Sequence, residues 1–228
     1  MVTRRERQRE ATREEIKTIA LKQMARKGTA GLSLRGIAEE MGLTVTALYR
    51  YYGSLDDLIT ALIMDGFDAQ ADSLQAAVDR NLRNGAGAQL LALMLDYRDW
   101  ALANPAVFQL LYGNPIPGYE APAELTVPKA KRGIDIVFSV LMPEFQAGTL
   151  RLPPEADPNV IKAALADYPG LDPALLYITI EGRLRMHGLV MLELHGHLEG
   201  TVIDPARFYR HECECVIKSV GLPLTEPP

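Results

Sequence analysis

An all-α fold is predicted, with an N-terminal three-helix head that contains a helix-turn-helix and a larger C-terminal helical bundle. Three observations predict it. Apolar residues recur at spacings of three and four along most of the 228-residue chain, and no alternating strand pattern of comparable strength occurs. Gly and Pro punctuate that periodicity into separate helices. Charge is also divided: residues 1–53 carry 11 Lys and Arg against 6 Asp and Glu, net +5, whereas the remainder carries 13 against 23, net −10. The division expected is therefore a head at 1–53 and a body at 54–228, with no internal repeat.

The first helix is expected over 12–27, where Ile16, Ile19, Ala20 and Met24 form one stripe and Gly28 ends it. Before it, Arg4, Arg5, Arg7, Arg9 and Arg13 are interspersed with Glu6 and Glu10. They read either as a basic arm that follows phosphates or as a solvated extension of the helix. A second helix opening at Ser33 buries Leu34, Ile37, Ala38 and Met41. Gly42-Leu43 supplies a turn, and Thr44 caps a third helix over 45–52. Ala38 and Gly42 are read as the places where these helices cross closely. The third helix buries Leu48 and one edge of Tyr51 and Tyr52, and leaves Val45, Thr46, Ala47, Tyr49 and Arg50 on or beside an open face. An ordinary αα-hairpin has the same helix spacing, but a three-helix head joined through a capped connector matches the plan in which a helix enters the DNA major groove.

Ser54 caps a long connector helix running to about Arg80, with Leu55, Leu58, Ile59, Leu62, Ile63 and Phe67 on its stripe, until Gly85 and Gly87 break it. Further helices are expected near 88–103, 105–112, 127–146, 158–166, 173–197 and 204–220. Residues 173–197 are apolar over most of their circumference, as suits a helix facing its own core on one side and a partner subunit on the other. The last helix brings Phe208, Val216, Ile217 and Val220, with Val216 and Val220 expected on its outer face.

Composition narrows the function classes. The chain is 48% hydrophobic, enough for a head and a sizeable core, but has no run of about 18 apolar residues. Its start, MVTRRERQRE, lacks the apolar stretch of a signal peptide. Cys213 and Cys215, one residue apart, cannot staple distant segments, which suits a reducing compartment; a cytoplasmic location is expected. No P-loop, G-x-G-x-x-G, G-x-S-x-G or H-E-x-x-H occurs, so no enzyme is expected and no cofactor is implied. No metal site is expected either. Cys213-x-Cys215 and His195-x-His197 splay by about 200° on a helix rather than converging.

The segment SLRGIAEEMGLTVTALYRYYGSLDDL resembles the head of the TetR family of transcriptional regulators. The likeness covers roughly residues 10–62 and lies in the small residue Ala38, the turn at Gly42-Leu43, the Leu48-Tyr49 pair and the aromatic Tyr52. YRDWALANPAVFQLLYG (97–113) and MHGLVMLELHGHL (186–198) are similar to the WHG type of ligand domain in that family. The resemblance implies base contacts from Arg35, Val45, Thr46, Ala47 and Tyr49, of which Arg35 can present a bidentate fork to guanine. Ser33 and Thr44, at helix N-termini, would position the head on phosphate. Arg50 points either to phosphate or to solvent, and Tyr51 completes the candidate set. The family usually places a Lys just after the cap of the fourth helix; here Leu55, Asp56 and Asp57 stand instead.

The resemblance also implies a ligand-responsive regulator, a repressor that leaves its operator when a small apolar effector binds. The partners it implies are a near-palindromic double-stranded operator and a second copy of the chain, paired through the last two long helices, with no membrane. Trp100, Phe108, Tyr112, Phe138, Tyr177 and His187 are the candidate effector lining. Apolar residues of this kind also build ordinary cores, and His187 reads equally as a core histidine with internal hydrogen bonds. A ligand-independent architectural factor with the same head is the alternative.

Overall fold

The computed structural model describes residues 3–153 and 157–224, and among them there are helices and no strand. The helices are α1 (Arg4–Lys27), α2 (Leu34–Met41), α3 (Val45–Leu48), α4 (Leu55–Asp79), α5 (Ala86–Ala103), α6 (Pro105–Tyr112), α7 (Ala123–Gln146), α8 (Lys162–Asp167), α9 (Pro173–Leu194) and α10 (Pro205–Ser219). The all-α expectation holds. No helix among the described residues is long and apolar enough to cross a membrane.

The chain forms two compact units. One comprises the residues up to Ala69 with Ala103–Ala130, and the other Gln70–Leu102 with the described residues from Lys131 onward. α4 and α7 each supply residues to both. The unit that holds the head therefore extends past Gly53, because α4 and α6 complete its core. Ile16, Ile19, Ala20 and Met24 of α1 are buried as their spacing predicts, together with Leu34, Ile37 and Ala38 of α2, Leu48, and Leu58, Ile59, Leu62 and Ile63 of α4. Leu110 of α6 joins them, with Ile116 and Tyr119 packed against the cluster. Each fully buried Ile, Leu or Met side chain among them contributes about 1.5–3 kcal/mol by leaving water. At the edge, Lys17 Nζ bridges Glu14 and Asp65 at 2.7 and 2.6 Å, and Thr60 and Tyr119 share a hydroxyl hydrogen bond of 2.9 Å.

The basic N-terminus is a helix extension, not an arm. Thr3 and Glu6 form a reciprocal capping box: Thr3 Oγ1 accepts from the Glu6 N–H at 3.2 Å and the Glu6 carboxylate accepts from the Thr3 N–H at 2.7 Å. This cap starts α1 at Arg4, so the arginines occupy its first turns. The carboxyl of Glu6 is held below its ordinary range by the Thr3 backbone bond first and the Thr3 hydroxyl second.

In the second unit α9 and α10 pack beside one another and against α5. Leu175, Leu176, Val190, Tyr209, Cys213 and Ile217 are almost wholly buried. The Tyr209 hydroxyl donates to the Met94 carbonyl at 3.0 Å, and burial pushes its pKa strongly up. Arg98 of α5 pairs with Glu193 of α9 through two nitrogens, with both side chains largely buried. The expectation for Val216 and Val220 is corrected: they are only 9% and 7% exposed. They turn inward because the outward stripe of α10 is taken by residues such as Phe208 (39% exposed) and His211. On α9 the outward stripe includes Glu181, Leu184, Arg185 and Leu192, with Leu184 66% exposed. That helix ends at Leu194, a turn earlier than its apolar run suggests, and 195–201 continue as turns.

Candidate nucleic-acid interface

The helix-turn-helix is built from two side-chain caps and one left-handed glycine. Ser33 Oγ accepts from the Gly36 N–H at 3.2 Å and Thr44 Oγ1 from the Ala47 N–H at 3.2 Å, each satisfying a donor that the first helical turn leaves unpaired. Between them Gly42 adopts φ +67, and the N–H groups of Leu43 and Gly42 return to the carbonyls of Ala38 and Glu39 at 2.9 and 3.2 Å. This is a Schellman closure, which favours a residue without a Cβ penalty at that φ. The reading of Gly42 as a steric pinch is corrected, since a Cβ there would meet nothing within 4 Å. The close approach is at Gly36, where a Cβ would lie 3.0 Å from Gln23 Nε2 and 3.1 Å from Ser33 Oγ. Ala38, nearly fully buried, behaves as expected.

α3 is shorter than predicted. Regular α-helix stops at Leu48, and 49–51 tighten into turns in which Arg50 and Tyr51 donate to the carbonyls three residues back. The carbonyls at this end are taken by α1: Arg9 Nη2 donates to the Arg50 oxygen at 3.3 Å and Arg13 Nη1 to the Tyr51 oxygen at 3.0 Å. The Arg13 guanidinium also sits 4.5 Å from the ring centroid of the buried Tyr52. The sequence leaves these arginines as either a phosphate-following arm or a solvated extension of the helix. Their role as a clamp on the turns after α3 depends on contacts 41 and 38 residues apart, which no local spacing reports.

Of the candidate DNA residues, Ser33, Arg35, Thr44, Thr46, Tyr49 and Arg50 are exposed, with Tyr49 52% open to solvent. Val45, Ala47 and Tyr51 are half-buried, and Val45 and Tyr51 pack against the head core. Arg35 Nε donates to Glu39 Oε1 at 3.0 Å, four residues along α2. Both side chains are well exposed, so exchanging this pair for a base edge costs little. At the start of α4, Ser54 Oγ accepts from the Asp57 N–H at 3.0 Å, and Leu55 packs against the core. Asp56 and Asp57 in that first turn suit the helix dipole but repel a phosphate.

The candidate effector residues divide between the two units. Phe108 and Tyr112 belong with the head, their rings 4.9 Å apart and Tyr112 edge-on to Phe67 at 5.9 Å. Trp100, Phe138, Tyr177 and His187 belong to the second unit. There Phe138 meets Tyr168 edge-on at 5.1 Å, and His187 Nδ1 shares a 2.8 Å hydrogen bond with the Tyr97 hydroxyl. Burial, and then the charge of Arg183, lowers the His187 pKa, which favours the neutral imidazole.

The family description "Bacterial regulatory proteins, tetR family" matches residues 18–62, and "Tetracyclin repressor-like, C-terminal domain" matches 90–216, more than half of the chain. The chain belongs to the TetR family. Its curated relatives include the HTH-type transcriptional regulators Rv1816 of Mycobacterium tuberculosis and Mb1846 of Mycobacterium bovis, each 35% identical over 151 residues. That match covers 66% of this chain and 64% of theirs, just under two thirds of the relatives' length. Among solved structures, a protein described as regulatory, SCO4313, is similar over 95% of this chain and all of its own, at 33% identity and a TM-score of 0.77. A tetR-family regulatory protein from Rhodococcus RHA1 shares the fold alone, at 16% identity and a TM-score of 0.66 over 92% of this chain and 97% of that one.

Proposed function

We propose that this TetR-family chain is a DNA-binding transcriptional regulator that reads a near-palindromic operator as a homodimer and leaves it when an apolar effector binds. In this reading residues 1–53 contact DNA, residues 54–228 bind the effector and the second copy, and the outcome on DNA is repression. The observation that carries it is the twice-capped helix-turn-helix. A rigid buried core holds Leu34, Ile37, Ala38 and Leu48 while Arg35, Thr46, Tyr49 and Arg50 stay exposed on the other side. The net +5 of residues 1–53 supplies the electrostatic attraction to phosphate.

Arg35 is the base reader, through a two-nitrogen fork to guanine, with Thr46 and Ala47 offering methyl contact to thymine. Ser33 and Thr44 position the head on the backbone. The effector occupies the second unit, where Trp100, Phe138 and Tyr177 supply apolar surface and the Tyr97–His187 pair is a polar fixture suited to orienting a guest. α4, continuous from Leu55 to Asp79, runs from the unit of the head into that of the effector and is the element available to couple them.

The test is selection of bound fragments from random duplex DNA by the purified full chain, followed by titration at fixed salt. Arg35→Ala is expected to cost about 1–3 kcal/mol and relax preference at one base pair, and Thr44→Ala to weaken all sequences alike. Wild-type affinity and selectivity in both variants would mean that the head reads no DNA. For an effector, ligand affinity must fall by the same factor with operator present as operator affinity falls with ligand present.

A further inference from the structure

His211 and Cys215 stand four residues apart on α10, so their side chains lie about 40° apart on one face, a turn from each other. Unlike Cys213-x-Cys215 and His195-x-His197, which splay, this mixed pair converges. His211 Nε2 and Cys215 Sγ are 3.6 Å apart. A tetrahedral zinc ion, with Zn–N near 2.05 Å and Zn–S near 2.3 Å, places its nitrogen and sulfur ligands about 3.6 Å from each other. The two atoms already span one edge of that tetrahedron.

A third donor converges on them. The Glu212 carboxylate, the His211 imidazole and the Cys215 sulfur offer ligand atoms that all lie within 4.8 Å of one another. Arg185 of α9 holds the carboxylate by its Oε2, with Nε donating at 2.9 Å and Nη2 also in contact, which fixes its orientation. The neighbouring thiol is excluded. Cys213 is fully buried, donates to Met186 Sδ at 3.3 Å, and is pushed up to about 12 by burial. In the single chain Cys215 is partly exposed and His211 exposed, on the same outward stripe of α10 as Phe208.

We propose that His211, Glu212 and Cys215 form a zinc-binding site on the outer edge of α10. The ligands are the neutral imidazole through Nε2, a carboxylate oxygen and the Cys215 thiolate, whose proton passes to solvent as the sulfur–zinc bond forms. One thiolate and one imidazole select zinc over magnesium or calcium, which prefer all-oxygen shells. Three protein donors leave a fourth position for water. The Glu212–Arg185 pair links the site to α9, so the bound ion stiffens the α9–α10 pair as well as one turn of α10.

The test uses the reduced, metal-stripped full chain titrated with cobalt(II) as a spectroscopic probe and then with zinc. Cobalt is expected to produce a sulfur-to-metal charge-transfer band and the visible absorption of a tetrahedral ion, saturating at no more than one ion per chain, and zinc to abolish both. Cys215→Ser should lose the charge-transfer band, and His211→Ala should weaken zinc binding by more than about tenfold. Cys213→Ser should keep the band, and unchanged far-ultraviolet circular dichroism verifies that each variant folds. No tetrahedral cobalt spectrum in the wild type, or a band that survives Cys215→Ser, overturns the proposal. Either outcome leaves the DNA contacts of residues 1–53 untouched, since none of these residues lies in the head, and sedimentation of each variant shows whether the pairing of two copies is altered separately.

Discussion

Arg13 Nη1 donates to the carbonyl oxygen of Tyr51 at 3.0 Å, tying the first helix to the turns that follow α3. The same guanidinium lies over the Tyr52 ring, so one side chain both satisfies a turn carbonyl and packs on the aromatic residue that closes the head core. Arg13→Ala is expected to lower stability by about 1–3 kcal/mol through the lost hydrogen bond and cation–π contact. Arg13→Lys should recover only part, because an ammonium cannot fork between carbonyl and ring. Thermal unfolding beside Arg4→Ala, at the exposed start of α1, checks this. Equal midpoints for Arg13→Ala and Arg4→Ala would show that the tie carries no weight.

The acidic start of α4 sets a second expectation. Asp56 and Asp57 occupy the first turn, where a phosphate of bound DNA would meet like charge. Asp56→Lys should tighten operator binding and steepen the logarithmic salt dependence by about 1, the signature of one added phosphate contact. Binding isotherms at several salt concentrations read both quantities. An unchanged slope would place the N-terminus of α4 away from the DNA backbone.

The outward faces of the last two long helices separate assembly from folding. Leu184→Glu and Phe208→Glu alter exposed positions and should yield folded monomers if these faces pair two copies. Val216→Glu and Val220→Glu place a carboxylate in the interior of the second unit and should instead unfold it. Sedimentation together with circular dichroism distinguishes the outcomes. A wild-type chain that sediments as a monomer at micromolar concentration would remove the dimer.

His187 gives a pH dependence with a definite sign. Burial, then the charge of Arg183, lowers its folded-state pKa below the ordinary 6.5, so the unfolded chain takes up a proton more readily than the folded one. Its contribution is fully present above pH 6.5 and is lost as pH falls through the lowered folded value. His187→Gln, which keeps a polar partner for Tyr97, should flatten the fall in thermal midpoint below pH 6.5. Parallel profiles for wild type and variant would show that His187 titrates alike in both states.

What the sequence determined by itself was local. The stripe of Ile16, Ile19, Ala20 and Met24, the caps at Ser33, Thr44 and Ser54, and the stop at Gly42 each rest on steps of no more than about four residues, and the structure shows every one. Those signals were enough to read the helix order, the head and the family. What the tertiary structure decided depends on partners distant in the chain. Arg9 and Arg13 became a clamp because carbonyls 41 and 38 residues away lie within reach. Val216 and Val220 turned inward because an amphipathic stripe does not say which neighbour will cover it. The candidate effector aromatics fell into two units, since apolar character marks burial but not the core that receives it. Periodicity fixes which side of a helix is apolar; packing alone decides what that side meets.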